Sequence, residues 1–164
     1  MGTYKRGLAL LFLILLGWIG WMWGQRVSPP DARGTRQHGS EQLSSLGIAD
    51  CNVARQPCLV GDPPVALGLR LGPPVEALEP FTVDAVTELA DSERPVSVEI
   101  SFSMAGMDMG SNRYRLQPAG KDHWTGTAVL PICASGRVDW LATLSVRTDA
   151  NHWQASFPFA MGGR

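Results

Sequence analysis

The sequence predicts a mainly β protein: an antiparallel β-sandwich of about seven strands, preceded by one N-terminal transmembrane helix. Three observations lead to this prediction. Apolar and polar residues alternate in short runs from Val65 onward, as they do in half-buried strands. Gly (18 residues) and Pro (12 residues) are abundant, which favours turns over long helices. One long apolar run lies near the N-terminus.

The N-terminal apolar run predicts a membrane anchor. Residues 7–24 carry no charge, and a helix of this length spans about 27 Å, close to the hydrocarbon thickness of a bilayer. Tryptophans crowd its C-terminal end, where indole rings prefer the headgroup level. A cleaved signal peptide is the alternative, but its apolar region is usually shorter and ends in a small-x-small site, which residues 25–30 do not offer. We therefore expect an uncleaved signal-anchor. The basic residues flanking it lie on both sides, so the charge count alone does not give its orientation.

Seven runs with a period of two predict the strands of one domain of immunoglobulin-like size. The clearest is 96–104, where Val, Ile, Phe and Met alternate with Ser and Glu. Pro158 within the last run indicates an edge strand, because proline cannot donate to a ladder of hydrogen bonds. The runs are 65–71, 81–85, 96–104, 114–116, 124–130, 138–146 and 153–159.

The cysteines indicate a structural disulfide between Cys51 and Cys58. Six residues separate them, unlike the two-residue spacing of thioredoxin-like redox pairs and zinc knuckles. A bond closing this loop would stabilise the domain by about 2–3 kcal/mol on loop-entropy grounds. It needs an oxidising compartment, which favours a position outside the cytoplasm. Two free buried thiols are the alternative, and three cysteines allow three pairings. Cys133 is then the odd one, and a lone cysteine usually packs in a core.

A methionine cluster is the most distinctive motif of the chain. Three of the six methionines, Met104, Met107 and Met109, fall within six residues directly after the clearest run. Thioether sulfur is a soft ligand that selects Cu(I) over hard cations. A Cu(I) site would draw on these three residues, with Cys133 and His123 as weaker candidates to complete it. In the alternative interpretation, Met104 packs in the core while the other two form an adaptable apolar patch for a partner.

The segment Val98–Asn112 (VEISFSMAGMDMGSN), followed by WTGT at 124–127 and GRVDW at 136–140, resembles the YtkA-like and FixH-like group of bacterial envelope proteins. The resemblance covers roughly residues 65–160 and is specific around Met-x-Met-Gly. It implies a small β-sandwich on a single membrane helix, with roles in copper delivery and in the assembly of cbb-type cytochrome oxidases. The cysteines are not part of the group's general pattern.

Together these features predict the organisation of a single-pass protein of the bacterial inner membrane. Its partners are expected to be the membrane and a cytochrome oxidase or copper transporter. The expected segments are a cytoplasmic tail (1–6), a transmembrane helix (7–24), a polar linker (25–48) and a periplasmic β-sandwich domain (49–164).

Several functional classes are not expected. A net charge of −1 without a basic stripe argues against nucleic-acid binding. No P-loop, dinucleotide fingerprint, nucleophile elbow or clustered histidine pattern indicates an enzyme. Three hypotheses follow: a domain that binds or delivers copper, a metal-free immunoglobulin-like interaction module or accessory subunit of a membrane complex, and a structural or stress-response envelope protein.

Overall fold

The computed structural model describes residues 43–107 and 110–161, which form a sandwich of two five-stranded β-sheets. The mainly β prediction is confirmed. The strands of this part of the chain, in sequence order, are β1 (Leu43–Ile48), β2 (Cys58–Asp62), β3 (Val65–Leu71), β4 (Pro80–Glu88), β5 (Ser97–Ser103), β6 (Arg113–Arg115), β7 (Gln117–Gly120), β8 (His123–Val129), β9 (Asp139–Arg147) and β10 (His152–Ala160).

The first sheet has the strand order β1-β10-β9-β5-β6, and the second has the order β2-β3-β4-β8-β7. Neighbouring strands pair antiparallel, except that β1 runs parallel to β10. In the first sheet, β9 lies between β10 and β5, so its inward residues occupy the middle of the core.

The core lies between the two sheets and follows the period-two pattern. On β5, Val98, Ile100 and Phe102 are buried, while the residues between them are partly exposed. Phe102 contacts Phe81 of the second sheet and Phe159 of its own sheet edge-to-face, with ring centroids 5.8 and 6.1 Å apart. Burying a side chain of this kind contributes about 1.5–3 kcal/mol. This aromatic group joins the two sheets near the end of β5, where the methionine cluster begins.

Each of the seven predicted runs coincides with a strand, but the structure adds three strands: β1, β2 and β7. Each of the three lacks a clear alternation in sequence. β1 and β2 are short and contain glycine, and the four residues of β7 (QPAG) are all exposed. They lie at sheet edges, where one side of the strand makes no ladder and weaker patterns suffice.

One boundary and one strand position differ from the sequence prediction. Leu43–Ile48, expected at the end of the linker, forms β1, because its backbone pairs with β10 although none of its side chains is fully buried. Pro158 does not lie on an edge strand, because β10 lies between β1 and β9. The pairing with β1 ends at Ser156, however, so the proline lies beyond it and interrupts no hydrogen bond with β1.

The disulfide between Cys51 and Cys58 is confirmed, with the two Cα atoms 6.1 Å apart. Cys58 begins β2 and is buried. Within the closed loop, fully buried Val53 accepts a hydrogen bond from the Leu71 N–H at 2.9 Å, which fixes the loop to the end of β3. Cys133 is free and buried.

The predicted tail and transmembrane helix, residues 1–24, lie outside the described residues, as does most of the predicted linker. Among residues 43–107 and 110–161, no helix has the length and apolar character to cross a membrane.

Candidate metal centre

The methionine cluster begins in a tight turn at the end of β5. Met104 and Met107 form a β-bridge, and the Met107 N–H donates to the Met104 carbonyl at 3.2 Å. Gly106 adopts a φ of +73°, a left-handed conformation that glycine takes without a steric cost. The turn directs the chain back on itself, so two methionines three positions apart become neighbours.

The two methionines occupy different depths. Met104 continues the inward face of β5 and is only 3% exposed, in agreement with a packing role. Met107 is half-buried and packs against the same core. Met107 therefore has its thioether at the boundary between core and surface, where a ligand can reach it.

A second turn brings Cys133 to Met107. After β8, the Gly136 N–H donates to the Cys133 carbonyl at 3.0 Å, and Gly136 has a φ of +70°. The Cys133 Sγ lies 3.6 Å from the Met107 Sδ, within the range of a weak S–H···S hydrogen bond. Ser135 Oγ is 3.0 Å from the same Sγ and 3.6 Å from the Met107 Sδ. The thiol, the thioether and the hydroxyl form one compact group.

Arg137 joins the two turns. Its Nη1 donates to the Ala105 carbonyl in the methionine turn at 2.8 Å. Its Nε and Nη2 form a two-point ion pair with the Asp139 carboxylate, with Nε 2.9 Å from Oδ1. The hydrogen bond from Arg137 holds the pKa of the Asp139 carboxyl below its ordinary value. The ion pair also fixes the guanidinium in the direction of Ala105.

The surroundings of Cys133 favour its thiolate form. The Ser135 hydroxyl donates to the thiolate and lowers the pKa of Cys133 below its ordinary value, against the opposing effect of desolvation. The backbone N–H groups of Ser135 and Arg137 and the charge of Arg137 act in the same direction as the hydroxyl. Cys133 is 4% exposed, yet it borders an open cavity, so its burial is shallow.

A cavity of about 430 Å³ adjoins the group. Cys133 and Met161 contribute sulfur to its lining, and Arg137 lies beside them. The rest of the lining includes the exposed apolar side chains Leu78 and Ile132. Leu78 is held there by its N–H, which donates to the Leu130 carbonyl at 2.8 Å. Glu76 and Glu79 also line the cavity, which is therefore a mixed recess with apolar side chains, two acidic residues and sulfur at its wall.

Of the five residues predicted as ligands, the structure brings the sulfurs of Met107 and Cys133 into contact and joins Met104 to Met107 by a backbone bridge. Met109 lies outside the described residues. His123 is not placed with the others. It is exposed at the start of β8, and that strand extends for about 20 Å before the chain reaches the turn that holds Cys133.

The chemistry of this group suits a soft metal ion. In the described part of the chain, no three His, Cys, Asp or Glu side chains form a cluster that could hold a metal ion. The sulfur donors are a thioether and a thiol that becomes a thiolate when it loses its proton, and sulfur ligands of this kind select Cu(I) and related soft ions. Two sulfurs bound tetrahedrally to one ion by bonds of about 2.3 Å lie about 3.8 Å apart. The Cys133–Met107 separation of 3.6 Å is close to this value.

Sequence reasoning did not single out Ser135, Arg137 or Met161. The only local signal is Ala-Ser-Gly-Arg directly after Cys133, whose small residues favour a turn. No local pattern shows that this turn meets the one after β5.

A separate polar contact lies on the outer face of the first sheet. Ser145 Oγ is 2.6 Å from His152 Nε2, which links β9 to β10 across the strand pair. Glu99 and Arg113 line the same shallow recess of about 130 Å³. This contact fastens a hairpin and lies apart from the sulfur group.

No protein-family model matches the chain. No curated protein matches it either. Among solved structures, the chain is similar to the crystal structure of an engineered protein, with 19% sequence identity and a TM-score of 0.40. The match covers 54% of this chain and 17% of that chain.

Proposed function

We propose that this chain is a membrane-anchored periplasmic domain that binds or delivers copper as Cu(I), in support of respiratory oxidase assembly. The proposal places it with the YtkA-like and FixH-like proteins of the bacterial inner membrane. The observation that carries it is the contact between Cys133 Sγ and Met107 Sδ at 3.6 Å, beside Met104. Soft donors that meet at this distance form the start of a Cu(I) coordination sphere.

The disulfide supports the compartment in this proposal. The bond between Cys51 and Cys58 persists in oxidising surroundings and is rare in the cytoplasm. A periplasmic domain tethered by residues 7–24 would also lie close to membrane enzymes that need copper. Oxidase or transporter partners are proposed on that ground.

The strand connectivity supports the finer proposal of an immunoglobulin-like fold. Strands β3-β4-β8-β7 follow the spatial order A-B-E-D, and β10-β9-β5 follow the order G-F-C of that class. The chain changes sheet after β1, β4, β6 and β8, and the last three changes produce the Greek-key connections of such sandwiches.

Competition with a colorimetric Cu(I) chelator tests the function. The full chain, purified in detergent under nitrogen, is titrated against the chelator as wild type, Met107→Leu and Met22→Leu. Leucine conserves the volume of methionine, so the fold should tolerate both changes. We expect Met107→Leu to weaken Cu(I) binding by about tenfold or more, as losses at metal sites do. Met22→Leu serves as the control and should match the wild type. A wild-type chain that takes no Cu(I) from the chelator would refute the proposal.

The exposed apolar surface favours a second candidate, the metal-free interaction module. Leu78 and Ile132 are 60% and 64% exposed beside the cavity, an arrangement typical of protein contact sites. This candidate predicts that the chain does not bind Cu(I). It also predicts that the chain co-purifies with a membrane partner and that Ile132→Asp reduces the amount of partner recovered. Leu59→Asp, at a similarly exposed apolar side chain on β2, is the matched control.

A further inference from the structure

We propose that Cys133 is the anionic ligand of the Cu(I) site and that the metal reaches it through the adjoining cavity. The inference rests on the proposed function and deepens it. It assigns Cys133 the role of neutralising the charge of the ion, and it assigns the cavity as the route of access to the site.

The position of Cys133 supports its role as a ligand. Among the described residues, Cys133 contacts Met107 through sulfur and also lines the cavity. Met104 lies deeper, at 3% exposure, behind the turn. The thiol therefore stands between the methionine turn and the open recess. An ion that enters from the cavity meets Cys133 on its way to the methionines.

The positive charge of Cu(I) also favours an anionic ligand. Thioethers are neutral, so a site built of methionines alone would leave the positive charge of Cu(I) without an anionic ligand bound directly to it. The Arg137 guanidinium, close to Cys133, would add repulsion. A thiolate cancels the charge of the ion, and Asp139 already pairs with Arg137. A neutral Cu(I)–thiolate pair is therefore the favoured state at this location.

The binding step is a ligand exchange without a change of oxidation state. The Cys133 S–H bond breaks, its proton passes to water, and the sulfur lone pair forms a bond to Cu(I). The donor that carried the ion leaves through the cavity. Met107, and behind it Met104, supply the neutral sulfur ligands.

Cys133 can be studied without interference from other thiols. The chain has three cysteines, and Cys51 and Cys58 are bonded to each other. Cu(I) supplied as its acetonitrile complex under nitrogen requires no reductant, so the disulfide stays closed. Every thiolate signal then comes from Cys133.

The main test compares the wild type, Cys133→Ser and Met107→Leu, each as the full chain in detergent. We expect Cu(I) to produce a thiolate-to-metal absorption in the ultraviolet for the wild type and for Met107→Leu, and none for Cys133→Ser. Cys133→Ser should lower the affinity by tenfold or more. Circular dichroism confirms that each variant is folded. Protection of wild-type Cys133 from iodoacetamide by one equivalent of Cu(I) gives a readout that requires no variant.

The outcomes separate the two proposals. A wild type that binds no Cu(I) refutes the proposed function. If Cu(I) binds and Met107→Leu weakens it, but Cys133→Ser binds normally and Cu(I) gives no protection, the present inference is overturned while the function stands.

The route through the cavity has its own test. Ile132→Trp narrows the recess, and Leu59→Trp places the same bulk at a distant exposed site. We expect Ile132→Trp to slow the transfer of Cu(I) to a bulky chelator at least threefold without changing the final equilibrium, and Leu59→Trp to leave the rate unchanged. Equal rates in the two variants would exclude this route.

Discussion

The guanidinium of Arg137 donates a hydrogen bond to the carbonyl of Ala105, 32 positions earlier in the chain, at 2.8 Å. This bond connects the loop that carries Cys133 to the turn that carries Met107. The distance between the sulfurs of Met107 and Cys133 thus depends on Arg137, whose side chain is not itself a candidate metal ligand.

Loss of the Arg137 side chain should loosen the site. In Arg137→Gln the bond to Ala105 and the ion pair with Asp139 are both lost, which should lower Cu(I) affinity by about fivefold. Arg137→Lys, which keeps a charged donor, should give a smaller loss. Chelator competition measures both. Arg94, which donates to the Asp91 and Glu93 carbonyls away from the sulfur group, provides the control Arg94→Gln. Equal affinities for the Arg94 and Arg137 variants would contradict this role.

Cys133 should react as a thiolate at lower pH in the folded chain than in the unfolded chain. The Ser135 hydroxyl lowers its pKa, and the rate of alkylation follows the thiolate fraction. The midpoint of the iodoacetamide rate against pH should therefore be lower for the native chain than in denaturant, and Ser135→Ala should raise it.

The lowered pKa of Cys133 also makes the stability of the folded chain depend on pH. Because the pKa is lowered on folding, Cys133 favours the folded state above its unfolded pKa, and that contribution disappears as the pH falls through the folded value.

Ser101→Ala, on β5, is the control for the alkylation profile. A midpoint that does not differ between Ser135→Ala and the wild type would disprove the assignment of Ser135.

Opening the disulfide should destabilise the domain by about 2–3 kcal/mol, because the unfolded chain regains the freedom of the closed loop. The measurement is urea unfolding of the wild type and of a Cys51→Ser, Cys58→Ser double variant, each with and without reductant. Reductant should lower the wild type to the level of the double variant and leave the latter unchanged. Wild-type stability that is insensitive to reductant would contradict a stabilising bond.

Glu93 should stabilise the opposite end of the sandwich. Its Oε2 accepts from Trp153 Nε1 at 3.0 Å and from Thr148 Oγ1 at 3.3 Å, while Oε1 accepts from Asn151 Nδ2 at 3.0 Å. Glu93→Ala leaves these donors without the carboxylate and should lower the free energy of unfolding by about 1–3 kcal/mol. Glu93→Gln keeps one acceptor, so its free energy of unfolding should lie between those of the wild type and Glu93→Ala.

Glu88→Ala, at an exposed position of β4, is the matched control and should change stability by about 0.5 kcal/mol or less. The network would be unimportant if the Glu88 and Glu93 alanine variants unfolded at the same urea concentration.

Most strands with one buried face were predictable from sequence, although β2, which buries Cys58 and Val60, was not. On β5 and β9 the core requires an apolar residue at every second position, so the pattern is visible in the residues themselves. β7 is an exposed edge strand, and β1 is held by backbone pairing more than by burial. Their hydrogen bonds impose little on side-chain type, so no alternation marks them.

The candidate site was predictable in its chemistry and not in its assembly. Soft donors at Met104, Met107 and Cys133 are recognisable by residue type. The contact between Met107 and Cys133 depends on two turns 26 positions apart, set side by side by the packing of the sheets. The separation of His123 from the sulfur group was likewise not visible in the sequence. It follows from the direction of β8, which places His123 at the opposite end of the strand from the turn that holds Cys133.

The parallel pairing of β1 with β10 has a mechanical consequence for the domain. A load applied between residues 43 and 161 pulls these two strands past each other along their length. The hydrogen bonds of the pair then share the load and must rupture together, whereas an antiparallel hairpin pulled from its open end would unzip one bond at a time. The first and last strands of the described chain thus form a shear clamp.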